Sequence, residues 1–234
     1  MPNRRLIRPL AVVAAVVVIG GGAYGIAGAP SSNNSAGAST GQTVNARSAA
    51  KAGSNARSGP AAGGVVGTVS SVSASSITVS TSAGQKVTVN KKSSTTYRKG
   101  TTATSAGAIT KGTPVLVLGT TDGTTITATQ IVVQPATGRS ATFSPSKVIP
   151  FKRGAPTTSQ QDGQIPANYS QGSGTIVSKT PANKATGAAL AAYPGGVVDR
   201  VVKLSSGEYE VHNIGVNWPH HIFVSTSFKV IGAD

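Results

Sequence analysis

The chain has 234 residues with a net charge of +15, from 21 Lys and Arg against 6 Asp and Glu. It contains no Cys, which excludes disulfides, thiolate metal sites, a cysteine nucleophile and an N-terminal lipidated cysteine. Aromatic residues make up 4% of the chain. This composition limits the size of each hydrophobic core and favours small domains joined by tethers.

The N-terminus predicts a membrane or export segment over residues 1–29. Three arginines precede Leu10 to Ala29, a stretch without charge that is long enough to cross a bilayer as a helix. The positive-inside rule then keeps the N-terminus cytoplasmic and places the C-terminus outside, as a single-pass cell-membrane protein. A signal peptide cleaved after Ala29 is the alternative, although Pro30 would then be the first mature residue, which disfavours cleavage. Both place the remaining chain outside the cytoplasm.

Residues 30–62 consist mainly of Ser, Ala, Gly and Asn. Such a segment cannot bury enough apolar area to offset its chain entropy, so it is predicted to be a disordered linker.

Residues 63–135 change to short β-branched runs separated by turn residues, a pattern typical of a small all-β domain. Pairing Val79 with Val87 and Ile77 with Val89 leaves a three-residue loop that ends at Gly84. A second turn is expected at Asp122 and Gly123. The predicted strands are Val65 to Val72, Ile77 to Thr81, Lys86 to Val89, Pro114 to Gly119 and Thr125 to Val133.

The phrases GTVSSVSASSITVSTSAGQKVTV and AGAITKGTPVLVLGTTDGTTITATQIVV resemble a bacterial extracytoplasmic domain of unassigned function. The resemblance implies a small OB-like β-barrel, a fold that often binds oligonucleotides or glycans. Tyr97 is the one aromatic residue of this domain, and a lone Tyr more often packs at a core or rim than stacks on a ligand. Because the domain is predicted to be exported, no nucleic-acid partner is expected.

The positive charge is concentrated before residue 185, where 18 Lys and Arg accompany two acids. This imbalance favours anionic envelope polymers as partners, although the dispersed spacing fits an ordinary solvated surface better.

Residues 136–180 are rich in Pro, Ser and Thr and predict an extended connector. The apolar patch FSPSKVIPFKR, residues 143–153, is expected to pack as an edge segment on the barrel.

Residues 181–234 predict a helix packed on an antiparallel sheet of three or four strands. Thr180 and Pro181 carry a helix-start pattern, and an alanine stripe follows at helical spacing. A two-residue turn at Ser206 and Gly207 would pair Leu204 with Tyr209, Val202 with Val211, Lys203 with Glu210 and Val201 with His212. In this register the apolar pairs face the helix and the charged pair faces solvent.

The sequence KATGAALAAYPGGVVDRVVKLSSGEYEVHNI resembles the PepSY family, whose pattern is an Ala-rich helix, a Pro-Gly turn and a hairpin ending in a Tyr-Glu-Val strand. The closing segment GVNWPHHIFVSTSFKVIGAD departs from that pattern. The resemblance implies a non-catalytic module that binds peptides or restrains peptidases.

The unusual residues of this C-terminal region are its site candidates. The predicted partner-binding residues are Asp199, Glu210, His212, Trp218, His220 and His221. A metal site from His212, His220 and His221 is the chemical alternative, although adjacent histidines in an extended strand point to opposite faces.

No sequence pattern of a nucleophile, a phosphate-binding loop or a dinucleotide site occurs in the chain. We therefore expect a protein that is not an enzyme and needs no cofactor. Its expected role is an envelope protein that binds a protein or peptide partner and modulates an extracytoplasmic peptidase. The alternative is a metal-binding sensor or carrier.

Overall fold

The computed structural model describes residues 59–135, 147–156 and 158–234. The predicted membrane or signal segment and nearly all of the predicted linker over 30–62 lie outside these residues. Within the described ranges, no helix combines the length and the apolar character that a membrane crossing requires. The described chain is mostly β, with a closed five-stranded barrel and one α-helix.

The first seven strands are β1 Ala61–Val72, β2 Ser76–Ser80, β3 Lys86–Asn90, β4 Thr96–Lys99, β5 Thr102–Thr104, β6 Pro114–Asp122 and β7 Thr125–Val133. The barrel is formed by β1, β2, β3, β7 and β6, which pair in that order before β6 returns to β1. All of these pairs are antiparallel except β3 with β7, which is parallel. A single 3-10 turn at Ala106–Ala108 connects β5 to β6.

The first hairpin of the barrel confirms the predicted register. Ile77 pairs with Val89 and Val79 with Val87, and all four side chains lie in the barrel core. Gly84 closes the loop with φ of 85°, a conformation that costs glycine little. The second turn lies one residue later than predicted, because Asp122 pairs with Thr125 across the turn.

Two short strands were not predicted. β4 joins the edge of β7, and β5 pairs with β4. Tyr97 on β4 is partly buried against the barrel core, so it packs as the sequence led us to expect. Both strands are too short and polar to show a strand pattern.

The later elements are β8 Ile149–Pro150, β9 Asp162–Gly163, β10 Thr175–Ile176, α1 Lys179–Ala192, β11 Val197–Lys203, β12 Tyr209–Ile214, β13 Val216–Trp218, β14 His221–Val224 and β15 Val230–Ala233. The C-terminal half is a helix on an antiparallel sheet, in the order β11-β12-β14-β15. The N-cap of helix α1 is Ser178, two residues before the predicted Thr180 cap, and the alanines of α1 at 182, 185, 189 and 192 are buried as predicted.

The barrel and the C-terminal half share hydrogen bonds and a core. β1 pairs with β11 through Gly64 and Val198 and through Val65 and Val197. Leu116 and Leu118 of the barrel strand β6 belong to the same buried cluster as the alanines of α1. The division into folding units over 63–135 and 181–234 stays a prediction.

The hairpin of β11 and β12 corrects the predicted register by one residue. Tyr209 pairs with Lys203 and Val211 with Val201, and the loop holds three residues rather than two. A shift of one residue exchanges the faces of a strand. Val202 and Leu204 therefore lie in a separate cluster with Phe223, on the opposite side from α1.

The described part of the predicted linker over 136–180 does not run free of the fold. β8 pairs with β13, β9 with β15, and β10 with β11. The patch over 143–153 was expected on the barrel; its described residues instead pair with the C-terminal half through Ile149 and Trp218. Frequent Pro and Gly exclude long strands here, but a two-residue strand needs few backbone donors.

Candidate functional site

The sheet face opposite α1 carries a row of titratable side chains. Arg200 of β11, His212 of β12 and His221 of β14 are cross-strand neighbours. The next row contains Glu210 between Val202 and Phe223. Because side chains alternate along a strand, both rows face away from the α1 side, where Val211 packs.

This polar face is buried, which corrects the prediction that it is exposed. Asp199, Glu210 and His212 are 5%, 0% and 8% exposed. The cover is supplied by residues 158–177, which we call the strap. Ile165 and Tyr169 of the strap pack against the cluster of Val202, Leu204 and Phe223. Composition favoured a free linker there, so a cover over this face was not expected.

Two histidines of the face are held by carboxylates. His212 Nδ1 lies 2.6 Å from Asp199 Oδ1, and His221 Nδ1 lies 2.9 Å from Asp234 Oδ1. His221 Nε2 lies 3.6 Å from Glu210 Oε1. These contacts fix the ring orientations, since each carboxylate accepts a hydrogen bond when the facing nitrogen carries a proton.

The three histidines lie close together. The ring centroids of His212 and His220 are 4.6 Å apart, those of His212 and His221 5.4 Å, and those of His220 and His221 5.3 Å. The expectation that His220 and His221 diverge assumed an extended strand through both. β14 begins at His221, and His220 lies in the bend before it.

Burial sets the electrostatics of this cluster. It lowers the pKa of His212, although the Asp199 hydrogen bond opposes the shift. It also lowers the pKa of His220 to about 4. His220 is an exposed residue, so water opposes part of this effect. Burial raises the pKa of Glu210, while the nearby His221 and Arg200 oppose that change. The uncharged forms of His212, His220 and Glu210 are thus favoured.

The arrangement of these side chains does not favour metal binding. Among the described residues, no group of three or more His, Asp and Glu side chains is placed so that it could hold a metal ion. Two of the three imidazoles already direct Nδ1 to a carboxylate.

Trp218 is a packing residue rather than a surface contact. It is 1% exposed, its Nε1 donates to the Gln160 carbonyl at 2.6 Å, and its ring meets Tyr193 edge-on at 5.5 Å. The peptide bond from Trp218 to Pro219 is cis. The role of Trp218 in partner binding stays a prediction, and its buried side chain leaves little surface for such a contact.

A cavity of about 650 Å³ opens beside the cluster, between the strap and the corner that joins β13 to β14. Phe151, which is 61% exposed, forms part of its apolar lining. Its polar lining includes Gln161, Asn217, His220, His221 and Asp234.

The structure thus brings five of the six predicted site residues into one buried or half-exposed cluster and places Trp218 beside it. Sequence reasoning missed Arg200, Asp234, Tyr169 and Phe151. Arg200 would have followed from the correct hairpin register, which sets it opposite His212. Phe151 belongs to the apolar patch over 143–153, which was expected on the barrel rather than at this site. Asp234 and Tyr169 come from chain segments far from the histidines in sequence, and no local pattern marks them.

Comparisons with known proteins give no family assignment. No family model, no curated protein and no solved structure matches the chain. The fold and the site geometry therefore carry the functional argument.

Proposed function

We propose that this protein is a non-catalytic binding protein of the cell envelope, whose cavity beside β13 and β14 takes a segment of a partner protein. One observation carries the proposal: an exposed aromatic side chain, Phe151, adjoins a cavity lined by convergent polar groups. Apolar cavities with a few placed polar groups are the usual form of a binding site. The placement outside the cytoplasm rests on the N-terminal sequence pattern.

The lining chemistry favours a neutral or basic peptide. Phe151 offers an apolar anchor, and Gln161 and Asn217 offer amide groups that match a peptide backbone. Asp234 is the one Asp, Glu, Lys or Arg among the described residues that line the cavity. Lys152 and Arg153 follow Phe151 in the chain but do not line the cavity, so the charge on its wall is that of Asp234.

Two finer assignments belong to the same proposal. The barrel is OB-like: its five strands pair in the closed order β1-β2-β3-β7-β6-β1, with β3 and β7 parallel. The C-terminal half is PepSY-like, which its Ala-faced helix on a four-stranded antiparallel sheet supports. A PepSY-like module fits the proposed modulation of an extracytoplasmic peptidase.

The test is a selection of displayed random peptides on the full-length chain, followed by binding titrations with the enriched peptides. Phe151→Ser removes the exposed anchor without touching the core and is expected to weaken binding at least tenfold. Val72→Ser is the matched control, because Val72 is also an exposed apolar residue, 46% exposed, at the end of β1 in the barrel. Enriched peptides whose affinity is unchanged by Phe151→Ser would refute the cavity as the binding site.

The metal-binding alternative ranks second. The mutual approach of His212, His220 and His221 is the observation in its favour. Calorimetric titration with Zn²⁺ and Cu²⁺ tests it, and binding weaker than about millimolar, roughly 4 kcal/mol, would remove it.

A further inference from the structure

The strap is attached at both edges of the C-terminal sheet. At one edge, β9 pairs with β15, and Gln164 N donates to the Ile231 carbonyl at 2.7 Å. At the other edge, β10 pairs with β11, and Val177 N donates to the Val201 carbonyl at 2.9 Å. The residues between these attachments therefore cross the sheet face that carries the histidines.

Tyr169 is the main contact between the strap and that face. Its ring meets Phe223 edge-on with centroids 4.7 Å apart and lies 6.0 Å from the His221 ring. The Tyr169 hydroxyl also interacts with the Glu210 carboxyl, which favours the charged form of Glu210 and opposes the rise in its pKa. The strap thus rests directly on titratable groups rather than on an apolar sheet surface alone.

The charged and titratable groups beneath the strap come from three strands of the sheet and from the residue that follows the fourth. β11 supplies Asp199 and Arg200, β12 supplies Glu210 and His212, β14 begins with His221, and Asp234 follows β15. His220 adjoins them from the bend, and Asp162 of the strap itself is bound to Lys147 and Tyr193 at the sheet edge. A proton taken up by His212 or His220 adds a positive charge that Arg200 repels.

We propose that the strap, residues 158–177, is an acid-released cover: it closes over the histidine cluster at neutral pH and leaves the sheet when the histidines become protonated. Neighbouring imidazolium rings at centroid distances of 4.6–5.4 Å repel one another, and burial withholds the water that would screen them. Detachment of the strap restores that water. The strap is weakly attached, because β9 and β10 contain two residues each, so it opens at a lower free-energy cost than the long strands of the sheet.

The inference rests on the proposed function where it concerns the ligand. Gln161 and Gln171 of the strap line the cavity together with His220 and His221. Release of the strap removes one wall of the cavity, so a peptide held there is expected to dissociate in acid.

Hydrogen exchange of the full-length chain without ligand tests the cover directly. Exchange is measured by mass spectrometry at pH 7 and pH 4.5, and each rate is divided by the intrinsic rate at that pH. We expect strap amides such as those of Gln164 and Val177 to lose at least tenfold in protection at pH 4.5. The amides of β3 in the barrel are expected to keep theirs.

Variants tie the response to the histidines. His212→Gln and His220→Gln cannot gain the imidazolium charge, so each is expected to keep the strap more protected at pH 4.5 than the wild type. His220→Gln is the safer variant, because His220 is exposed and its replacement leaves the buried core intact. Glu208→Gln is the control: Glu208 lies outside the cluster and contacts Ser206 in the hairpin loop.

Three results would overturn the proposal: unchanged strap protection at pH 4.5, an equal loss in the strap and in β3, or a wild-type response in both histidine variants. Because no ligand is present, this measurement is independent of peptide binding. Strap release without peptide binding refutes the proposed function alone. Peptide binding with a pH-insensitive strap refutes the cover alone.

Discussion

Gly67→Ala decides whether the barrel and the C-terminal half fold as one unit. A Cβ at Gly67 would lie 2.3 Å from the Ser80 carbonyl oxygen and 2.8 Å from Val79 Cγ1. Ordinary Cβ contacts are 3.4–4 Å, so β1 and β2 must separate by about an ångström. Overpacking of this kind costs about 1–3 kcal/mol. For a unit of this size, that loss lowers the melting temperature by roughly 3–10 °C.

Trp218 makes the coupling visible, because it is the one Trp of the chain and it is buried in the C-terminal half. The shared pairs of Gly64 with Val198 and Val65 with Val197 join the halves, so loss of the barrel removes the partner of β11. We expect Trp218 fluorescence and far-ultraviolet circular dichroism to report one transition. Gly67→Ala should shift both signals by the same amount.

Gly107→Ala is the matched control. Its Cβ would meet Ser105 Oγ at 3.5 Å, an ordinary contact, and no strained φ is present. We expect stability within about 0.5 kcal/mol of the wild type. If Gly67→Ala lowers the dichroism transition while Trp218 melts at the wild-type temperature, the halves fold separately and the shared core contributes no cooperativity. If Gly67→Ala fails to fold, Val79→Ala perturbs the same barrel core without a backbone clash and costs about 1.6 kcal/mol for two lost methyl groups before any cavity cost.

The remaining predictions concern pH, one buried hydroxyl and the N-terminus. Burial lowers the pKa of His212 and raises that of Glu210, so acidification below about pH 6.5 costs stability through His212, whereas protonation of Glu210 restores some of it. Glu210→Gln should therefore make the free energy of unfolding fall more steeply with decreasing pH above pH 4.5, by up to about 1.4 kcal/mol per pH unit. Urea unfolding at several pH values measures this dependence, and a dependence equal to that of the wild type would contradict the prediction. Tyr193→Phe removes the hydrogen bond to Asp162 and should lower the free energy of unfolding by about 1 kcal/mol. It should also raise the Asp162 pKa, which NMR titration measures. If that pKa stays low, Lys147 alone is responsible for lowering it. Mass spectrometry of the mature protein should find the N-terminus intact, whereas a chain beginning at Pro30 would show cleavage after Ala29.

The barrel was largely predictable because its signals are local. Ile77, Val79, Val87 and Val89 alternate with polar residues, and Gly84 supplies the positive φ that a three-residue loop needs. Their register follows from these two facts alone. The parallel pairing of β3 with β7 was not predictable in the same way, since it joins segments that no turn connects.

The C-terminal hairpin shows how a single turn residue changes the interpretation of a site. A two-residue loop would place Glu210 opposite Lys203, which matches the pattern of an exposed charged pair. The observed three-residue loop ends at Gly207 with φ of 92° and places Glu210 opposite Val202. Both loops satisfy the alternation of Tyr209 and Val211, so hydrophobic pattern did not distinguish them.

The cover over the polar face could not be predicted from the sequence. Alternation identifies the two faces of a strand, but a face rich in Glu and His is assigned to solvent unless another segment is known to cross it. The strap that does so is built from two-residue strands, which have no periodicity, and its apolar contacts with this face come from Ile165 and Tyr169. Its composition is that of a linker because its backbone, rather than a hydrophobic side-chain pattern, makes the attachments at both sheet edges. The same short strands hold the strap weakly. They therefore explain both why the sequence did not predict the cover and why the strap responds to charge on the face beneath it.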